Sequence, residues 1–331
     1  MYKQFIGIDV SKLTFDVCIY GSTAHRKFAN DQSGFQLFFQ WIRKLSAPES
    51  MDNVLICFEH TGMYSLTLAL YLEESQCVFA MISPLEIKRS LGIVRGKNDK
   101  VDARRIAEYA YEKREKITPT KLPSKAILQL HPLLTLRDRL ARTRAGYVAT
   151  RTEQKRFLVK QDLPDLFDVY NDLIACLTKQ IKQLEKAIKD IIRKDDDIRN
   201  TFQLITAIKG VGFLVGTYLI VYTHNFTKFE NWRKFACYAG VAPFDHTSGT
   251  SIRGKTQVSN LANKQMKKML HLAALSASHT DIEMIAYYTR RVNDGKSKMC
   301  ALNIIRNKLL ARVFAVAKRG TAYVQFVEQA A

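Results

Sequence analysis

The sequence has no CxxC pair, no histidine beside a cysteine at zinc-ligand spacing, and no apolar run approaching the roughly 18 to 20 residues that span a bilayer. Structural zinc and a transmembrane helix are therefore not expected. The opening MYKQFIGIDVSK carries an acid where a signal peptide needs apolar length, so a cytoplasmic protein is expected. Acids are also scarce: 31 Asp and Glu face 51 Lys and Arg, a formal net charge of +20. Such a surface repels basic partners and concentrates polyanions, which makes nucleic acid the first partner to test. Hydrophobic residues at 47% and charged residues at 25% exclude global disorder, collagen-like repeats and low-complexity scaffolds. At 331 residues, two or more domains are expected. The six cysteines (Cys18, Cys57, Cys77, Cys176, Cys237, Cys300) are scattered, and most sit in apolar or amphipathic runs as reduced small hydrophobes.

Three regions follow along the chain. Residues 5–10, 13–20 and 24–29 are short, β-rich and separated by tight breaks, which predicts three successive antiparallel strands. Helical periodicity over 35–45, a continuous apolar run from Val54 to Phe58, a helix near 64–74, a strand near 77–82 and helices beyond Pro84 continue an α/β alternation. Three strands followed by α-β-α-β-α is the order of a ribonuclease H-like domain. Pro119 and Pro123 read as a linker into long helices. There Tyr170, Ile174, Leu177, Ile181, Leu184, Ile188 and Ile191 form a coiled-coil seam. Its partner is either the stretch around Leu133, Leu136, Leu140 and Tyr147 folding back, or another copy of the chain. The last region, from about 199, holds ITAIKGVG, apolar helices, the Gly-rich HTSGTSIRGK, and a final amphipathic helix carrying Leu302, Ile305, Leu309, Val313 and Val316.

Positive charge is concentrated. Residues 85–160 hold 20 Lys and Arg against 8 acids, and residues 251–320 hold 14 against 3, so the remainder is about neutral. Repeated Lys and Arg pair with phosphates, giving affinity and salt dependence with little sequence preference.

Four acids stand out against the α/β pattern. Asp9 ends the first strand in GIDVSK, Glu59 ends the buried strand in CFEHTG, and Asp99 and Asp102 lie one helical turn apart in NDKVDARR. Convergent carboxylates repel one another unless a cation neutralises them, and hard oxygen donors suit Mg²⁺ or Mn²⁺. Paired ions of this kind activate an attacking oxygen and stabilise a leaving oxygen in phosphodiester chemistry. Singly, each acid has a simpler role: Asp9 capping a turn, Asp99 capping a helix, Asp102 pairing with Arg104 or Arg105.

GIDVSK, FEHTG, the NDKVDARR helix, the AIKGVG turn and SGTSIRG, in this order, resemble the DEDD-type transposases of insertion-sequence family one hundred and ten over essentially the whole chain. The resemblance implies a ribonuclease H-like, RuvC-like domain at 1–118 with an Asp-Glu-Asp-Asp tetrad on Asp9, Glu59, Asp99 and Asp102. Linker and coiled-coil helices would span 119–198, and a mainly α-helical transposase domain with a nucleophilic serine, Ser248, 199–331. It further implies a recombinase that cuts and rejoins DNA, binds Mg²⁺ or Mn²⁺ through the tetrad, is guided by a bridge RNA, and acts as a dimer or tetramer with composite active sites.

The chemistry at Ser248 also follows from its neighbours. A serine hydroxyl is a poor nucleophile until deprotonated or metal-activated. Gly249 lets the backbone approach a phosphate, and Arg253 and Lys255 balance charge on a pentacovalent transition state. Thr250 and Ser251 are competing hydroxyls, and His246 is a candidate proton acceptor or a solvated loop histidine. The turn Ile208-Lys209-Gly210-Val211-Gly212 resembles a helix-hairpin-helix element, with Lys209, Gly210 and Gly212 offered to a phosphate, or else it is a simple interhelical turn. Arg104 and Arg105 are further candidate phosphate contacts. Tyr2, Tyr109 and Tyr111 are candidates for base stacking, or finish a core. Departures from the family pattern, Phe244 and Asp245 after Pro243, Asn260, Ala262 and His60, bear on the phosphate contacts near Ser248 and leave the five catalytic positions in place.

Three readings compete with recombination. A junction-selective endonuclease keeps the tetrad and cuts with metal-activated water. An actin-like ATPase shares the GID opening but lacks a second Asp-Gly phosphate turn and a Gly-Gly adenosine turn in suitable context. A noncatalytic nucleic-acid-binding protein uses the acids structurally.

Overall fold

The computed structural model describes residues 2–46, 53–90, 98–158, 163–248 and 252–324, and the chain divides into two compact units, Met1–Leu122 and Pro123–Ala331. Among the described residues no helix is long and apolar enough to cross a membrane.

The first unit runs β1 (Gln4–Val10), β2 (Thr14–Ile19), β3 (His25–Ala29), α1 (Gln32–Ser46), β4 (Val54–Glu59), α2 (Met63–Glu74), β5 (Phe79–Ile82), α3 (Pro84–Ser90) and α4 (Asp99–Glu112). Its sheet has the order β3-β2-β1-β4-β5. The first three strands pair antiparallel, whereas β1–β4 and β4–β5 are parallel, as the intervening helices require. Period-two alternation sorts β1 between two cores. Ile6, Ile8 and Val10 join Phe15, Val17, Phe35, Phe38, Ile42 and Leu68 on one face. Phe5 on the other face joins Leu55, Cys57, Ile106 and Ala110. β4 is buried from Val54 to Phe58 because it is covered on both sides.

Close approach of α4 to β1 depends on Gly7. A β-carbon there would lie 2.2 Å from both Ala103 O and Ala107 N. The Asn98 side chain caps α4 by accepting from Lys100 N at 3.0 Å, so Asp99 is left for other work. Tyr109 and Tyr111 are spent on packing and do not offer free faces to bases. Tyr109 is buried and donates to Glu86 Oε1 at 2.6 Å, while Tyr111 stacks on Tyr20 at 4.0 Å between ring centroids. Tyr2 packs against the same core.

The second unit opens with α5 (Lys125–Gln154), capped by Ser124, and α6 (Pro164–Lys194), started by proline at its first turn. Arg137–Glu185, Arg144–Thr178 and Arg151–Asn171 contacts tie α5 to α6 antiparallel, with Tyr147 against Tyr170. The seam on α6 is thus met within the chain by the fold-back partner, although Leu136 remains 45% exposed. The remainder is α7 (Asp196–Thr206), α8 (Phe213–Thr223), α9 (Trp232–Tyr238), β6 (Pro243–Ser248), β7 (Ile252–Val258), α10 (Lys264–Thr280), α11 (Ile282–Asn293) and α12 (Lys298–Arg319). α8 is apolar all round and buried continuously from Val215 to Val221, so it forms the centre of this unit. α12 turns Leu302, Ile305, Leu309, Val313 and Val316 into the same core, at the spacing an amphipathic helix demands.

One expectation changes, and the ends of the Gly-rich HTSGTSIRGK segment take a defined form: β6 and β7 pair antiparallel, with Thr247 opposite Arg253 and Ser248 opposite Ile252. Phe244, Thr247, Ile252, Thr256 and Val258 supply the β-branched and aromatic content of a hairpin. Of the cysteines, Cys18, Cys57 and Cys77 are buried, but Cys176, Cys237 and Cys300, on α6, α9 and α12, are exposed.

Candidate active site

The acids meet because of strand register. β1 and β4 run parallel with Ile8 beside Phe58, which brings the next residues, Asp9 and Glu59, to one level at the ends of adjacent strands. Both lie two residues beyond positions that face α4, Gly7 and Cys57, so both side chains leave the sheet on the α4 side. The first turn of α4, drawn in by Gly7, adds Asp99 and Asp102.

Electrostatics report the convergence. Burial, then the charges of Asp102, Asp99, Glu59 and Asp16, push the Asp9 carboxyl up from 3.8 to about 6. Local cations partly offset the others: Arg105 Nη1 is 2.9 Å from Asp102 Oδ1, and Lys27 Nζ is 3.7 Å from Asp99 Oδ2. Among the described residues no group of three or more His, Cys, Asp or Glu side chains is arranged to hold a metal ion. The chemistry of the donor set nonetheless suits a hard divalent cation. All its members are carboxylates, and burial together with the neighbouring negative charges raises the Asp9 carboxyl to about 6, a shift that a bound cation would oppose.

Asp16 is a fifth acid that the linear motif does not reveal. It lies opposite Asp9 in the β1–β2 register, 4% exposed, with His25 Nε2 at 2.7 Å and Lys27 Nζ at 3.2 Å. Its signal in the sequence is an acid at an inward position of TFDVCI, which becomes legible only once the register is known.

The remaining candidates fall as follows. Ser248 ends β6, but its side chain, like those of His246, Arg253 and Lys255, lies outside the described residues, as do Gly249, Thr250 and Ser251 altogether. Lys209 is exposed, and Gly212 precedes α8 with open space around it. Gly210, at φ +91°, is turned into the protein, where a β-carbon would meet Ala273 O at 2.7 Å and Ala277 Cβ at 2.8 Å. Arg104 is exposed, whereas Arg105 is engaged by Asp102. Of the substituted positions, Asp245 accepts from Thr256 Oγ1 at 2.8 Å across the hairpin.

A transposase family model, that of the DEDD-type domain of IS110 elements, matches residues 6–159 and so takes in all four acids. A second, described as the transposase IS116/IS110/IS902 family, matches residues 202–289, which include Ser248. The chain carries both transposase domains of the IS110 family. It is accordingly an enzyme of DNA recombination. This transposase is 28% identical to the pilin gene-inverting protein of Moraxella bovis over 329 residues, 98% of each chain. The pilin gene-inverting protein of Moraxella lacunata is equally similar, 28% over the same length and the same shares. An uncharacterized 43.6 kDa protein of insertion element IS110 from Streptomyces coelicolor is 32% identical over 120 residues, 36% of this chain and 29% of that one.

Proposed function

We propose that this transposase is a site-specific DNA recombinase working through a serine-linked intermediate, with the acids of the first unit assisting phosphoryl transfer. The carrying observation is the crowding of Asp9 by Asp102, Asp99 and Glu59. Support for a ribonuclease H-like, RuvC-like first domain comes from its sheet order, three antiparallel strands extended by two parallel ones, with acids at the strand ends. The proposed domains are 1–118, 119–198 and 199–331, for nuclease, coiled coil and nucleophile.

Asp9, Glu59, Asp99 and Asp102 are the proposed ligands of Mg²⁺ or Mn²⁺. When bound, the metal would supply Lewis acidity toward the attacking and leaving oxygens. Ser248 is the proposed nucleophile. Its hydroxyl gives up a proton, an Oγ–P bond forms, the P–O bond to the leaving deoxyribose oxygen breaks, and that oxygen takes up a proton. Attack by a second strand's hydroxyl reverses these changes, so bond energy is conserved and no nucleotide is consumed. Lys209, Gly212, Arg104, Arg253 and Lys255 are proposed to hold phosphates, with Gly210 shaping its turn and Arg105 positioning Asp102. The DNA partners are element ends and target, selected by a bridge RNA, and the working species is a dimer or tetramer.

Inversion of a gene, the role in the names of the two Moraxella relatives, requires rejoining of strands, which favours this reading over a hydrolytic endonuclease. The test is to incubate the protein, its DNA and the RNA transcribed from the element's flanks, then search for a protein–DNA adduct that survives denaturation. Wild type is expected to give the adduct and Ser248→Ala none. Free 5′-phosphate ends without an adduct would instead establish metal-activated water as the nucleophile.

A further inference from the structure

The second unit buries a cation that no carboxylate balances. Arg306 on α12 is 5% exposed, and among the described residues no acid pairs with it. One Nη–H donates to His271 Nδ1 on α10 at 2.6 Å and the other to Asn303 Oδ1 at 3.3 Å, while Nε is buried without a partner. Buried arginines are ordinarily paired, because an uncompensated charge in a dry interior is costly. A negatively charged group from outside the chain would compensate it.

His271 offers a place for such a group. A guanidinium has no acceptor, so His271 Nδ1 must accept, and the imidazole proton then sits on Nε2. Burial and the Arg306 charge hold His271 below its ordinary pKa, in its neutral form. The half-buried ring thus presents one N–H donor, with a positive charge one hydrogen bond behind it. Lys267 lies one turn earlier on the same side of α10. Asn303 and Asn307 of α12 both donate to Val241 O at 3.0 Å, two residues before β6, so the group sits at the root of the hairpin that ends in Ser248.

We propose that His271 and Arg306 form a seat for a backbone phosphate of nucleic acid. A phosphodiester oxygen accepts from His271 Nε2–H, and its charge compensates Arg306. The seat fixes the strand beside the hairpin without reading bases. It rests on the chain acting on DNA, and is independent of Ser248 and of metal.

The test titrates the full-length protein with a labelled DNA duplex and, separately, a labelled single-stranded RNA over a range of salt. His271→Ala and Arg306→Met are each expected to weaken binding several-fold at low salt. They should also reduce the slope of log K against log salt by about 0.9 for duplex DNA or about 0.7 for single strands, one phosphate's worth. His271→Gln, which keeps an N–H donor, should retain the wild-type slope. The nucleic acid whose slope falls is the one that occupies the seat. In a second measurement, inorganic phosphate should raise the thermal midpoint of wild type above that in chloride at matched ionic strength, and do so less for His271→Ala. Because His271 is partly exposed, that variant decides the matter if Arg306→Met does not fold. Unchanged slopes on both nucleic acids, with equal phosphate protection in wild type and His271→Ala, would overturn the proposal. Loss of the Ser248 adduct with these slopes intact would strike the serine mechanism and leave the seat standing.

Discussion

The first unit holds its chemistry in a buried, register-locked sheet, whereas the second carries its candidate nucleophile on a two-stranded ribbon. Asp9, Asp16 and Glu59 project from three neighbouring strands covered by helices, and Gly7 lets α4 bring two more acids against them. Among the described residues β6 and β7 pair with no other strand, and Phe244 is 46% exposed. A lone ribbon of this kind holds itself weakly. Mutually repelling carboxylates must be forced together by packing elsewhere, so they need the stiffer support.

The largest effect that would break this comparison is expected at Asp9. Asp9→Asn should lower strand exchange by about 10³-fold or more while leaving the fold intact, since it removes a repelled charge and no packing. A variant retaining wild-type exchange would show that the acids serve structure alone. Next comes Gly7→Val, whose side chain must displace the α4 backbone; a loss of about 3 kcal/mol in urea unfolding is expected. The matching change on the ribbon, Phe244→Ser, should cost about 0.5 kcal/mol or less. Similar costs at the two positions would erase the distinction drawn between the units.

A subtler effect concerns pH. Asp9 is raised from 3.8 to about 6 in the folded chain, so between those values the folded state binds more proton than the unfolded one. Its contribution is fully present below pH 4 and is lost as pH rises through 6. The wild-type minus Asp9→Asn difference in metal-free stability should therefore fall across that window. Mg²⁺ affinity, followed by calorimetry, should change in the opposite sense and weaken as pH drops below about 6, because the metal must displace that proton. A small effect is also expected at Arg137→Ala, which removes a partly exposed pair with Glu185 between α5 and α6 and should cost about 0.5 kcal/mol or less.

Much of the first unit was legible from local pattern. The strand and helix order from β1 to α4 follows from period-two and period-3.6 alternation, and Asp9 and Glu59 stand out because each ends an apolar strand. The α5–α6 seam was legible too, but its partner was not: one chain or two satisfy the same heptads, and the Arg137, Arg144, Arg151 and Tyr147 contacts across the pair distinguish them. The exposed Cys176, Cys237 and Cys300 escaped because composition says nothing about which side of a helix a residue takes.

The sequence by itself determined which segments become strands and helices, where charge accumulates, and that four acids are available near strand and helix ends. Only the tertiary structure decided that Asp16 stands opposite Asp9, that Gly7 gives α4 its place, and that Arg306 lies buried against a histidine with no acid among the described residues to answer it. The physical reason is range. Propensity and periodicity act over a few residues, whereas register, close approach and desolvation are properties of chain segments brought together from 7 to nearly 100 residues apart.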